Sequence, residues 1–224
     1  MLELQDINVR YGDFHVLHDV SLSVGKGEMV AVIGANGHGK STLLKAVCGI
    51  TPVASGSIRF NGDDIANNAA PQLVGRGLVY VAEDRRLFPD MTVLENLQLG
   101  AFLPDARKKE KQNLERVFAL YPRLAERRGQ LCSTLSGGEA QMVALGRGLM
   151  SNPALLAIDE PSLGLAPNMT ETMLQTVATL NREGLTVLIV EQSLALLRGM
   201  IDRVYSIEEG VVSASELGRV QETL

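Results

Sequence analysis

The sequence predicts an α/β fold: a mostly parallel sheet, preceded by a small antiparallel sheet and interrupted by a block of helices. Three observations carry this reading. Strand-like segments recur, MVAVI at 29–33, LVYVA at 78–82, LLAI at 155–158, TVLIV at 186–190 and RVYSI at 203–207, and the first, a continuous apolar run, suits a strand buried on both faces. Helical stretches separate the last three, an alternation that gives parallel strands with right-handed crossovers. Residues 84–152 instead carry helix signals.

Taken in order, LELQDINV and HVLHDVSLSV alternate apolar and polar residues, as half-buried antiparallel strands do, and GKGE at 25–28 supplies a turn. MVAVI runs straight into GANGHGKST, and KSTLLKAVCG then reads as a helix ended by Gly49. SIRF at 57–60 is a further strand, closed by Asn61-Gly62. In the helical block, Thr92 with Glu95 and Ser136 with Glu139 have capping-box spacing, in which side chains satisfy free helix-terminal amides. Residues 105–121 read as one long amphipathic helix with Leu114, Val117, Phe118 and Tyr121 on its apolar face. After Asn152-Pro153 the strands return, and the next helix is expected to open at Asn168, with Glu171 three residues on. One domain results, with a core from 1–83 and 153–224 and a helical subdomain at 84–152.

The chain's 224 residues suit one large domain, and 46% hydrophobic with 21% charged residues is ordinary globular usage. Twenty-one Lys and Arg against 26 Asp and Glu leave a net charge of −5, so no broad positive field exists for a phosphate backbone and nucleic acid is not an expected partner. Cys48 and Cys132 make neither a disulfide framework nor a metal cluster and read as free thiols in a reducing compartment. The start carries Glu3 and Asp6 and does not read as a signal peptide. The apolar runs, such as LTVLIV at 185–190, stop short of the roughly 20 residues a membrane helix needs. A cytoplasmic protein is expected, one that reaches a membrane only through a partner.

GANGHGKS at 34–41 satisfies the G-x-x-x-x-G-K-[ST] pattern between a buried strand and a helix. Gly34, Gly37 and Gly39 let the backbone of Ala35, Asn36 and His38 curl so that its amides surround phosphate oxygens. The helix that begins near Lys40 adds its positive end. Lys40 is expected to reach the β and γ phosphates, the Ser41 hydroxyl to ligate Mg²⁺, and Thr42 to bind near the α-phosphate. The His38 side chain is expected to face solvent.

LSGGE at 135–139, far downstream and at a helix start, narrows the many phosphate-loop enzymes. With it the chain resembles the nucleotide-binding subunits of ABC transporters over essentially its whole length. The resemblance implies a P-loop NTPase fold, a RecA-like core with an antiparallel β subdomain and an inserted α-helical subdomain. It implies that Tyr11 stacks on adenine with Val16 lining the same pocket, that Asp159 holds Mg²⁺, and that Glu160 polarises the attacking water. Two adjacent carboxylates at the end of an apolar strand fit that reading, because charges beside a core strand need a partner or a metal. Ser136, Gly137, Gly138 and Glu139 would face the γ-phosphate bound by an opposite subunit, so that two subunits sandwich ATP.

Departures from the family pattern refine the resemblance. Glu83 stands where Gln is commoner and is a further candidate ligand for Mg²⁺. Gln192 occupies the switch position usually held by histidine; it can donate to the γ-phosphate but cannot titrate near neutral pH. The loop PSLGLAP after Glu160 lacks the usual aspartate. YVAEDRRLFPDMTVLENLQLGAF, DEPSLGLAPN and VEQSLAL together resemble the second ATP-binding subunit of high-affinity branched-chain amino acid importers. Relatives that import urea and short amides share these features, and a soluble ABC ATPase without a membrane partner is a rival reading. The resemblance implies permease subunits, a sister ATPase or second copy, and indirectly a solute-binding protein, with the chain on the cytoplasmic face of the membrane. Segment 83–92, with Leu87 and Phe88, is the expected docking site for a permease, and RKKEK at 107–111 a solvated helix face.

Overall fold

β1 (Leu2–Tyr11) and β2 (Phe14–Val24) pair antiparallel around the turn at Gly12. Their alternation resolves as expected, with Leu2, Leu4, Ile7 and Val9 buried against Leu17, Val20, Leu22 and Val24. The chain then leaves this sheet through β3 (Met29–Ile33) and α1 (Lys40–Val47), and returns through β4 (Ser55–Phe60) and β5 (Asp63–Asp64). The first sheet has the order β2-β1-β4-β5. α2 (Ala70–Gly75) leads to β6 (Leu78–Val81), after which come α3 (Val93–Leu99), α4 (Pro104–Lys108), α5 (Glu110–Leu120), α6 (Pro122–Glu126) and α7 (Gly137–Leu149). β7 (Leu155–Asp159), α8 (Pro167–Arg182), β8 (Thr186–Glu191), β9 (Arg203–Glu208) and β10 (Val211–Ser215) complete the computed structural model, which describes residues 1–215. The stretch 216–224, assigned to the core from the sequence, lies outside the described residues.

The second sheet runs β10-β9-β3-β8-β7-β6, parallel except for β10. Successive residues of a strand face opposite sides, and here both sides are covered. Met29, Ala31, Leu156, Ile158, Val187 and Ile189 face α7 and α8, while Val30, Val32, Leu155, Ala157, Leu188 and Val190 face α1 and the antiparallel sheet. That is why these strands read as unbroken apolar runs.

Both capping boxes form, with the Glu95 amide donating to Thr92 Oγ1 at 3.2 Å and the Glu139 amide to Ser136 Oγ at 3.4 Å. Two expectations need correction. The helix over 105–121 is two, broken at Lys109 (φ −105°) between α4 and α5, and the Asn113 side chain anchors α5 by donating to Met150 O at 2.9 Å. α8 opens on Pro167 with Ala166 at the cap, not at Asn168, because the fixed φ of proline suits the first helical position.

α3 crosses α7 at Gly100, where an added Cβ would lie 2.0 Å from Arg147 O and 2.8 Å from Met150 Cβ. Gly100→Ala is therefore expected to destabilise the fold by about 1–3 kcal/mol, lowering Tm in thermal unfolding by roughly 2–4 °C per kcal/mol. An unchanged Tm would mean that the two helices can separate freely.

Candidate active site

The turn from β3 into α1 is built from residues that tolerate close approach. A Cβ on Gly34 would meet Ile207 O at 2.4 Å, and Gly39 adopts φ +101° immediately before the helix. α1 has no side-chain cap and no acidic residue in its first turn, so its leading amides remain available to an anion. The loop opens on a cleft of about 270 Å³ lined by Val16, Asn36, Gly37, Gly39, Lys40, Ser41, Thr42, Glu83 and Glu160.

Lys40 is 3% exposed. Its ammonium donates to Gly34 O at 2.8 Å and Ala35 O at 2.9 Å, and pairs with Glu160 Oε1 at 2.8 Å. Three oxygen partners match its three donors. Glu160 has φ +39°, a left-handed conformation that a non-glycine residue holds only when its surroundings insist. Its second oxygen, Oε2, accepts from Gln192 Nε2 at 2.5 Å. Lys40, Glu160 and Gln192, from three distant parts of the sequence, thus form one chain of contacts.

Asp159, 1% exposed, accepts from Ser41 Oγ at 2.9 Å and from Tyr80 OH at 2.6 Å. Burial pushes its carboxyl above the usual range although both hydroxyl bonds act the other way. Burial, and then the Glu160 and Asp159 charges, also raise Glu83, while Lys45 opposes that rise. Ser41, Glu83 and Glu160 line the cleft, with Asp159 bonded to Ser41 behind them. Cys48 and Cys132 are both buried and free, and burial raises the Cys48 thiol.

Tyr11 is 49% exposed, and its hydroxyl lies 3.2 Å from Thr51 Oγ1. It does not line the cleft, whereas Val16 does. His38 is half-buried rather than open to solvent; its amide donates to Ala35 O and its carbonyl accepts from Gly210 N. Ala35 is exposed at the outer edge of the loop.

Ser136–Glu139 do not line the cleft of their own chain. Ser136 and Gly137 are exposed at the start of α7, and Gly138 is buried against Met169. The Glu139 carboxylate points back into the helical block, accepting from Ser136 N and pairing with Arg127 Nε at 2.8 Å. Burial works against its charge, but the Ser136 bonds and the arginines outweigh it and hold the carboxyl below the usual range. Glu139 thus serves the helix start within its own chain. An outward face remains at Ser136 and Gly137.

Tyr80, Glu191 and Arg85 also belong to the site or its surroundings, beyond the residues expected from the sequence. Tyr80 is the one hydroxyl in the run LVYVA, and Glu191 the one acid at the end of TVLIV. A polar group in an apolar strand is the available signal for both. Arg85 Nε donates to Gln141 Oε1 at 2.9 Å and Arg85 O accepts from Arg147 at 2.9 Å, tying the segment after Glu83 to α7. No local sequence pattern marks that contact.

The ABC transporter family model matches residues 17–163. The chain is 44% identical to the high-affinity branched-chain amino acid transport ATP-binding protein BraG of Pseudomonas aeruginosa, over 97% of this chain and 93% of that protein. It is 32% identical to the probable branched-chain amino acid transport ATP-binding protein LivG of Methanocaldococcus jannaschii, over 97% and 90%. A nucleotide-free ATP-binding cassette from an ABC transporter superposes with a TM-score of 0.86 at 30% identity, covering 96% of this chain and 90% of that one. A dimeric bacterial ABC transporter cassette does so with 0.81 at 27% identity, covering 96% and 98%. With a P-loop NTPase fold and this likeness along its length, the chain belongs to the ABC transporter family, as one of its ATP-binding, ATP-hydrolysing cassettes.

Proposed function

We propose that this chain energises uptake of branched-chain amino acids, hydrolysing ATP on the cytoplasmic side of membrane permease subunits. The contact chain Lys40–Glu160–Gln192, on a protein 44% identical to BraG, carries the reading. Loop 34–42 holds the phosphates, with Tyr11 and Val16 beside the base. Ser41 and Asp159, with Glu83 in reach of the same cleft, offer the hard oxygens that Mg²⁺ takes alongside phosphate oxygens and water. That ion, when bound, would offset the phosphates' negative charge.

The Lys40 donors are taken up by two loop carbonyls and Glu160. Arriving phosphates compete for that ammonium and release the Glu160 carboxylate toward the attacking water. Glu160 takes the water proton as oxygen attacks the γ-phosphorus and ADP leaves. Gln192, a neutral donor, turns from Glu160 to the γ-phosphate. Ser136 and the Gly137 amide, remote from their own cleft, act on the nucleotide of an opposing cassette, either a second copy or a sister subunit.

A second surface fits the permease. A groove of about 340 Å³ between the core and α3 is lined by Ile50, Phe88, Leu99, Phe102, Arg85 and Arg147, among others. Ile50, Phe88, Leu99 and Phe102 are exposed at 44%, 52%, 39% and 51%, an apolar cluster that water alone does not favour. Leu87, expected beside Phe88 on that surface, instead packs partly buried on the core. Among the described residues no helix is long and apolar enough to cross a membrane.

Gentle solubilisation of native membranes and identification of what co-purifies tests the reading. Two many-spanning permeases with a second cassette support it, and a purely soluble set of partners sinks the transport role. Phe88→Asp with Phe102→Asp is expected to cut permease recovery at least about tenfold, since two buried aromatic contacts are worth several kcal/mol. ATP hydrolysis by the isolated chain should change little. Undiminished recovery would place the permease elsewhere.

A further inference from the structure

β8 ends in a carboxylate that the reaction above does not use. Glu191 is 1% exposed at the tip of an otherwise apolar strand. A buried carboxylate is costly unless its oxygens are satisfied, and here both are. Oε1 accepts from the Ser162 amide at 3.0 Å, while Oε2 accepts from Ser162 Oγ at 2.9 Å and from the Gln192 amide at 3.3 Å. The Glu191 carbonyl accepts from the amide of Gly34, the first residue of the phosphate loop, at 3.3 Å. One residue therefore touches three segments of the site.

The partners explain what this accomplishes. Ser162 lies in the turn that presents Glu160, two residues beyond that strained backbone. The backbone of the turn is closed by Glu160 N to Val190 O at 3.1 Å, Leu163 N to Glu160 O at 3.1 Å and Leu165 N to Ser162 O at 3.2 Å, so the Glu191 carboxylate is what ties Ser162 to the end of β8. Gln192 is the next residue along from Glu191. Fixing Ser162 and the Gln192 amide to one carboxylate fixes the two strand ends whose side chains meet at 2.5 Å. An apolar residue would fill the space but accept none of the three donors, and a glutamine offers a single acceptor oxygen.

We propose that Glu191 is a positioning residue for ATP hydrolysis, locking the Glu160 turn to the Gln192 strand end through Ser162. The inference rests on the roles assigned above to Glu160 and Gln192.

The test is steady-state hydrolysis by the full-length chain, with kcat and KM for ATP measured separately and nucleotide affinity read from a fluorescent ATP analogue. Glu191→Ala is expected to lower kcat about 10- to 100-fold, the scale of a small misplacement of reacting groups, with affinity little changed. Ser162→Ala should lower kcat less, the double variant should be no worse than Glu191→Ala, and Glu191→Gln should recover part of the loss. An undiminished kcat in Glu191→Ala, or in Ser162→Ala where the first variant does not fold, overturns the proposal. So do losses that multiply in the double variant, or a loss confined to KM. Glu160→Gln separates the two roles. Full turnover in that variant sinks the site assignment itself; its inactivity beside unimpaired Glu191 and Ser162 variants sinks the positioning role alone.

Discussion

Glu160→Gln is expected to cut ATP turnover by about 10²–10⁴-fold, the usual range for a positioned general base, while leaving the nucleotide bound. The contacts say why binding survives. The carboxamide oxygen of the replacement side chain can still accept from Lys40, and its nitrogen can donate to Gln192, whose own amide reverses to present oxygen. What disappears is the capacity to take a proton from water. ATP then persists in the cleft, and a cassette that pairs through ATP stays paired. Size-exclusion chromatography with ATP should show a dimer that dissociates once the nucleotide is removed. A monomer under those conditions would argue against self-pairing and for a sister subunit, and unimpaired turnover would remove Glu160 from the reaction.

Lys40→Ala should have its largest effect one step earlier. An ammonium that donates to two phosphates contributes about 1.5–3 kcal/mol per charged hydrogen bond, so affinity should fall at least about 100-fold. The vacated site makes matters worse, because Glu160 is only 6% exposed and loses its cation. Incoming phosphates then meet an uncompensated carboxylate. Titration with a fluorescent nucleotide analogue measures the loss, and unchanged affinity would refute the phosphate-loop assignment.

Local chemistry makes much of this legible. GANGHGKS, the two capping boxes and the apolar strands are each decided within a few residues, by backbone freedom, helix-end amides or two-sided burial. Asp159 and Glu160 stand out because two acids following LLAI have no apolar explanation. Tyr80 and Glu191 differ in kind. Each is a single polar residue whose meaning lies in a partner far along the chain, Asp159 for one and Ser162 for the other. The break at Lys109 has no proline or glycine to announce it. At the start of α8, Asn168 is a good cap by type, but Pro167 already supplies the first helical residue. The inward turn of Glu139 follows from Arg127, on a segment whose approach to α7 no spacing encodes.

Strand order in the second sheet has a consequence for how the protein is made. β3 carries the phosphate loop, yet its only hydrogen-bonded neighbours among the described residues are β8 and β9. Synthesis proceeds from the N-terminus, and such distant pairings form late. Through most of translation the loop-bearing strand waits without either flank, while the antiparallel sheet can already close around β1. Nucleotide capture is therefore withheld until the last parallel strands have left the ribosome. A chain interrupted before β8 lacks both strands that flank the phosphate-loop strand.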